Sequence, residues 1–241
     1  MPNFFIEQQN IDKNRIFITQ KSDINHILNV LRADKKDTII LIGPDNKIYE
    51  SQIKVIHSDS IECEILGSYV SDKALKINIT LAQSIIKSQK QDFLIQKATE
   101  LGVKEIIPFI SRNTVVKPDK SNKIKRWQKI VYESAKQCQR GDLAKISDII
   151  SFEEVLKLDG FDLRVLCSEK KADITIKQFL VQNPHKSNIL LIIGPEGGWD
   201  DCEIEKFLKA GITPVSLGKL VYRAETAAVT AISQIIYEYE L

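Results

Sequence analysis

The stretch Ile189-Leu190-Leu191-Ile192-Ile193-Gly194-Pro195-Glu196-Gly197-Gly198-Trp199 decides how this chain folds. Five consecutive aliphatic residues stopped by Gly-Pro read as a strand. The acidic run from Asp200 to Ala210 then reads as a helix, so the glycine-rich turn lies at the carboxyl end of a strand. In an open α/β sheet that is where ligands bind. Three glycines around one Pro-Glu pair let the backbone turn tightly and approach a ligand with no Cβ in the way. A plain strand-to-helix turn needs one glycine or two.

Downstream and upstream of this stretch the same alternation repeats. Ile77 to Ala82, Lys104 to Ile110, Leu163 to Cys167 and Pro214 to Leu217 read as strands. Between and after them, Gln89 to Leu101 (ending at Gly102), Ser121 to Arg140, Asp173 to Val181 and Glu225 to Tyr239 read as helices. Strands alternating with helices imply an α/β domain with a mainly parallel sheet. The first 72 residues differ. Phe4 to Glu7, Arg15 to Thr19, Asp37 to Ile42, Ile48 to Ile56 and Ser60 to Leu66 are short strands, with a turn at Gly43-Pro44-Asp45-Asn46-Lys47. One helix interrupts them, with Asp23 as its expected N-cap and Ile24, Ile27, Leu28 and Leu31 at helical spacing. These residues predict a small β-barrel over 1–72 and a second domain over 73–241.

The chain has 241 residues, 43% apolar and 27% charged, which is ordinary for a globular protein and excludes a disordered or fibrous one. Its longest apolar runs are far too short to cross a bilayer. Met1 to Asn10 lacks a basic segment followed by an apolar one, so a cytoplasmic protein is expected, with no membrane partner. Cys63, Cys138, Cys167 and Cys202 form no C-x-x-C pair and His26, His57 and His185 are scattered, so no metal site is expected. The net charge of +2 is an average. Residues 84–140 carry +8, against −3 in 1–72 and −5 in 141–241. Within the long helix Ile124, Trp127, Val131, Ala135 and Cys138 share one side. Lys125, Arg126, Lys129, Lys136 and Arg140 fall on the other. Such a face is either a solvated helix surface or a polyanion footprint, and charge alone weighs the two equally.

No G-x-G-x-x-G follows a strand, and no P-loop, H-E-x-x-H, EF-hand or nucleophile elbow occurs. What remains is a second dense segment, Leu217-Gly218-Lys219-Leu220-Val221-Tyr222-Arg223-Ala224-Glu225-Thr226-Ala227, between a strand and the last helix. Glu225 near a helix start suits the helix dipole, which leaves the tight Leu-Gly turn before it unexplained.

Together the two dense segments resemble the ribosomal RNA small-subunit methyltransferase E family, the uridine N3-methyltransferases of 16S rRNA within the SPOUT superfamily. The resemblance runs over the whole chain. It includes His26-Ile27-Leu28-Asn29-Val30-Leu31-Arg32, Gln96-Lys97-Ala98-Thr99-Glu100-Leu101-Gly102-Val103, Arg126-Trp127-Gln128-Lys129-Ile130 and Gln137-Cys138-Gln139-Arg140. The chain departs from the family at Leu220, where an arginine is usual, and at Lys219, where a proline is frequent.

The resemblance implies a PUA-like β-barrel followed by a SPOUT domain with a C-terminal trefoil knot, a homodimer, and S-adenosylmethionine as methyl donor. It implies 16S rRNA as partner, within the small ribosomal subunit. Carried over by motif, the cofactor is held by Leu166, Glu169, Ile193, Gly194, Pro195, Glu196, Gly197, Gly198, Leu217, Gly218, Leu220, Thr226 and Ala227. Uridine N3 carries a proton and is a poor nucleophile, so the site needs a base and a way to stabilise the uracil anion. Glu225 or Glu196 can take the proton, and Arg223, Arg140 or Arg112 can stabilise the charge. Lys125, Arg126, Lys129, Lys136, Gln137 and Arg140 would hold the RNA. The rival readings are a ribose 2′-O-methyltransferase of the same fold and a non-catalytic RNA-binding assembly factor.

Overall fold

The computed structural model describes residues 3–44, 46–71, 73–116 and 120–241, with backbone only for Lys120 and Ser121. Asp45, inside the expected turn, and Asp72, at the expected domain boundary, lie outside the described residues. The chain forms two units. One runs to Ala74 and takes in Ala135–Asp142; the other comprises Leu75–Ser134 and Leu143–Leu241.

The first unit is a six-stranded sheet. Its strands are β1 (Asn3–Phe5), β2 (Ile11–Asp12), β3 (Arg15–Ile18), β4 (Thr38–Ile42), β5 (Lys47–Ile56) and β6 (Ile61–Val70). They lie in the order β1-β4-β5-β6-β3-β2, with β1 and β4 parallel and the other pairs antiparallel. Alternate residues such as Ile16, Ile18, Ile39, Leu41, Ile61 and Cys63 point inward and form one core with Phe4 and Ile53. Burial, reinforced by Glu62, pushes the Cys63 thiol up to about 12, so it stays protonated.

The helix of this unit corrects one expectation. α1 (Lys21–Asn25) is preceded by Gln20, and it passes into a π-helical turn over His26–Val30. Asp23 is therefore inside the first turn, not at the N-cap. It is buried, and its Oδ1 meets Lys136 Nζ at 3.0 Å, while the same ammonium lies 4.6 Å from the Phe4 ring. A buried carboxylate with a cationic partner has no need of the capping role.

The second unit is built on a parallel sheet. Its main strands are β7 (Asn78–Ser84), β8 (Glu105–Ile110), β11 (Leu163–Cys167), β13 (Asn188–Ile193) and β14 (Pro214–Ser216). Three two-residue strands complete it: β9 (Lys145–Ile146), β10 (Ile150–Ser151) and β12 (Ile174–Thr175). The order is β10-β8-β7-β13-β11-β14-β12, with β9 on β8. β13 sits in the middle, paired to β7 and β11.

That position explains the apolar run. Ile189, Leu191 and Ile193 join one core with α2 (Ser88–Glu100), α3 (Lys120–Cys138), α5 (Ile176–Gln182) and α7 (Ala224–Glu240). Leu190 and Ile192 join a second core with α4 (Phe152–Leu156) and α6 (Asp201–Lys209). A strand covered on both faces has no solvent side to make polar. Among the described residues no helix is long and apolar enough to cross a membrane.

Candidate active site

Three turns leave the carboxyl ends of the adjacent strands β13, β11 and β14 and enclose a cavity of about 560 Å³. Every lining residue belongs to the second unit. The turn after β13 is held from within by Trp199. Its indole N–H donates to the Cys167 carbonyl at 2.8 Å, and its buried ring packs on Phe109 and Phe207. This ties the ends of β13 and β11 together. Asp200 and Glu203 form a capping box on α6, and Arg112 Nη1 reaches Asp200 at 3.1 Å. The backbone N–H of Cys202 holds the Asp200 carboxyl below the usual carboxylate range, with Arg112 adding to the effect.

Two of the charged groups that line the cavity are paired. Lys90, in the first turn of α2, places Nζ 2.5 Å from Glu196 Oε1 and 3.8 Å from Glu225 Oε1. Glu225 Oε2 is sealed from solvent and finds no donor among the described residues. Arg223 lines the cavity just before α7, exposed and without an ion-pair partner among the described residues. Burial pushes the Cys167 thiol up to about 12, so this lining cysteine is not a nucleophile.

Most residues expected at a cofactor site line this cavity: Glu169, Ile193, Gly194, Pro195, Glu196, Gly198, Leu217, Gly218, Leu220 and Ala227. Three do not. Leu166 points into the second core, Thr226 is exposed on α7, and Gly197 is exposed, where an added Cβ would meet Asn113 Cβ at 3.2 Å. Of the residues expected in catalysis, Glu196 and Arg223 line the cavity and Glu225 adjoins it through Lys90. Arg112 lies outside, tied to Asp200. Arg140 belongs to the first unit, buried, with two bonds to Asp142 at 2.9 and 3.1 Å.

The expected basic face also needs correction. Lys125, Arg126, Lys129 and Gln137 are exposed, whereas Lys136 and Arg140 are buried with carboxylate partners. An enclosed, neutralised cation is not available to a phosphate. Sequence reasoning missed Lys90, Trp199 and Tyr222 as lining residues. Lys90 carried a faint signal: the first turn of α2 holds no acid, and a lysine there opposes the helix dipole.

A family model described as an RNA methyltransferase domain matches residues 73–236, and one described as an RNA methyltransferase PUA domain matches residues 18–66. Ribosomal RNA small subunit methyltransferase E of Bacillus subtilis (strain 168) is 32% identical over 251 residues, covering 100% of this chain and 98% of that protein. The protein of that name from Mesomycoplasma hyopneumoniae (strain 232) is 33% identical over 242 residues, covering 98% and 99%. Among solved structures, ribosomal RNA small subunit methyltransferase E from Neisseria gonorrhoeae bound to S-adenosyl methionine superposes with a TM-score of 0.88 at 29% identity, covering 99% of this chain and 98% of that one.

Proposed function

Since the chain belongs to the ribosomal RNA small subunit methyltransferase E family, we propose that it methylates N3 of a uridine in 16S ribosomal RNA. It is an S-adenosylmethionine-dependent rRNA methyltransferase with a PUA-like first domain. The observation that carries the reading is the cavity at the carboxyl ends of three parallel strands, inside the segment matched by the methyltransferase model.

The residues present fit that cofactor. Gly218 lines the cavity with φ of +142°, and a Cβ built there would meet no atom of the described residues, so its backbone lies open to a ligand. Ile193, Leu217 and Ala227 give the cavity an apolar wall, and Glu169 supplies a carboxylate for a cationic group. When bound, the cofactor supplies a methyl carbon already activated by its sulfonium. The chain's own task is then to align the base and remove the N3 proton.

N3 takes part in Watson–Crick pairing, so the target uridine must be unpaired or flipped out. In this reading the exposed Lys125, Arg126, Lys129 and Gln137 hold flanking phosphates. Residues 1–72 dock the RNA and residues 73–241 carry the chemistry. The protein works as a homodimer in the cytoplasm on rRNA within the small subunit, and its methyltransferase domain carries the trefoil knot of SPOUT enzymes.

Mass mapping of methylated nucleosides in 16S rRNA tests the proposal. A deletion strain is expected to lose one 3-methyluridine that the complemented strain regains. Loss of a 2′-O-methylnucleoside instead would overturn the N3 assignment.

A further inference from the structure

The N3 reading leaves open which groups meet the base. The uracil pairing edge presents O4, N3–H and O2, an acceptor, a donor and an acceptor. A site that selects it must offer an acceptor flanked by donors, which cytosine, with an acceptor at N3, cannot satisfy.

Lys90 and Glu196 present such a pair to the cavity. Both line it, and they hold each other at 2.5 Å. The Glu196 side chain is 18% exposed and that of Lys90 32%. Lys90 has three N–H donors; Glu196 takes one and Glu225, at 3.8 Å, faces another. Glu225 does not line the cavity, and its Oε2 is enclosed by protein. That carboxylate therefore cannot meet a base where it stands. The arginines named from sequence are less suited to catalysis than Lys90. Arg112 is tied to Asp200 outside the cavity and Arg140 is held by Asp142 in the other unit. Arg223 lines the cavity but is not fixed by any acceptor among the described residues. Electrostatic catalysis requires a group fixed in advance, which describes Lys90.

We propose that Glu196 and Lys90 are catalytic residues that read the uracil edge, with Glu225 as a positioning residue behind Lys90. The proton leaves N3 for a Glu196 carboxylate oxygen, and the electron pair of the N–H bond stays on N3 as the nucleophile. Lys90 donates to the adjoining carbonyl oxygen, where negative charge develops. Arg223 supplies a donor for the other oxygen. The assignment rests on the uridine N3 reading and goes beyond it by naming the groups.

The test uses the full chain in four forms: wild type, Glu196→Gln, Lys90→Met and Lys90→Arg. Thermal melting confirms folding. Titration calorimetry gives S-adenosylmethionine affinity, and small subunits from the deletion strain give kcat. Fluorescence anisotropy compares two RNA hairpins that differ by U or C at the mapped nucleotide. Glu196→Gln is expected to lower kcat by about 10²–10⁴-fold with cofactor affinity within about threefold, the range of general-base loss. Lys90→Met is expected to lower kcat and erase the preference for U over C, and Lys90→Arg to restore both in part. Wild-type kcat in Glu196→Gln overturns the assignment. So does cofactor affinity that falls in step with kcat, or a U preference unchanged in Lys90→Met. Formation of 3-methyluridine at the wild-type rate by Glu196→Gln sinks this assignment alone. A mapped product other than 3-methyluridine sinks the underlying reading.

Discussion

Gly194 and Gly218 have the same side chain and opposite reasons for it. A Cβ on Gly194 would come within 2.9 Å of Trp199 Cε2 and 3.1 Å of its Nε1. Trp199 cannot yield, because its indole is bonded to the Cys167 carbonyl and its ring is enclosed by Phe109 and Phe207. Gly194 is therefore fixed by packing within the protein. Gly218 has open space around it and a backbone conformation that only glycine adopts freely. Reasoning from sequence assigned the glycines after β13 to ligand approach; at Gly194 the space goes to an indole instead. Gly194→Ala should lower unfolding free energy by about 1–3 kcal/mol, the usual cost of overpacking, as measured by urea denaturation. Gly218→Ala should weaken S-adenosylmethionine binding more than Gly194→Ala does, as measured by calorimetry. A Gly194→Ala protein as stable as wild type would refute the packing account.

Asp162 shows how one side chain secures the start of a central strand. It accepts from the backbone N–H groups of Asn188 at 2.8 Å and Ser187 at 3.0 Å, where β13 begins. Those bonds, Asn188 first and Ser187 second, hold its carboxyl below the usual carboxylate range. A lowered folded value gives stability that is complete above the unfolded value of about 3.9 and is lost as pH falls through the folded one. Asp162→Ala should melt below wild type by a constant margin from pH 7 to pH 5. The margin should close as pH drops under about 4, and a margin that persists there would contradict this origin. At this scale legibility follows element length. β11 was read from sequence to the residue and β13 to within one, because an unbroken aliphatic run between polar segments has one interpretation. β9, β10 and α4 span two to five residues and have no period to detect, although Ser151 and Glu154 spell a capping box before α4. Asp23 was misread because its partner, Lys136, is 113 residues away. Lys90 escaped for the same reason, since it meets Glu196 across 106 residues. The glycine turns were legible as local patterns; the charge cluster beside them is a product of the fold.

The charge of the whole molecule follows the same division between local and folded order. The +8 of residues 84–140 is legible in sequence, but the fold sorts those cations into two kinds. Lys125, Arg126 and Lys129 stay exposed, Arg126 paired with Asp92, while Lys136 is enclosed with Asp23. Each exposed cation that neutralises a phosphate releases counterions. Binding then falls with salt by a slope of about 0.7 per contact on single-stranded RNA. A Lys125→Ala, Arg126→Ala, Lys129→Ala triple variant should therefore flatten the plot of log affinity against log salt by about 2, with S-adenosylmethionine affinity unchanged. Lys136→Met should behave differently. It breaks a buried ion pair, a loss of about 3–5 kcal/mol in stability, yet removes no phosphate contact and leaves the slope as it was. Anisotropy titrations of the two variants from low to high salt, beside their denaturation curves, separate the two kinds of lysine. An unchanged slope in the triple variant would remove this face from RNA binding, and a flattened slope in Lys136→Met would show that its ammonium leaves Asp23 to meet the RNA.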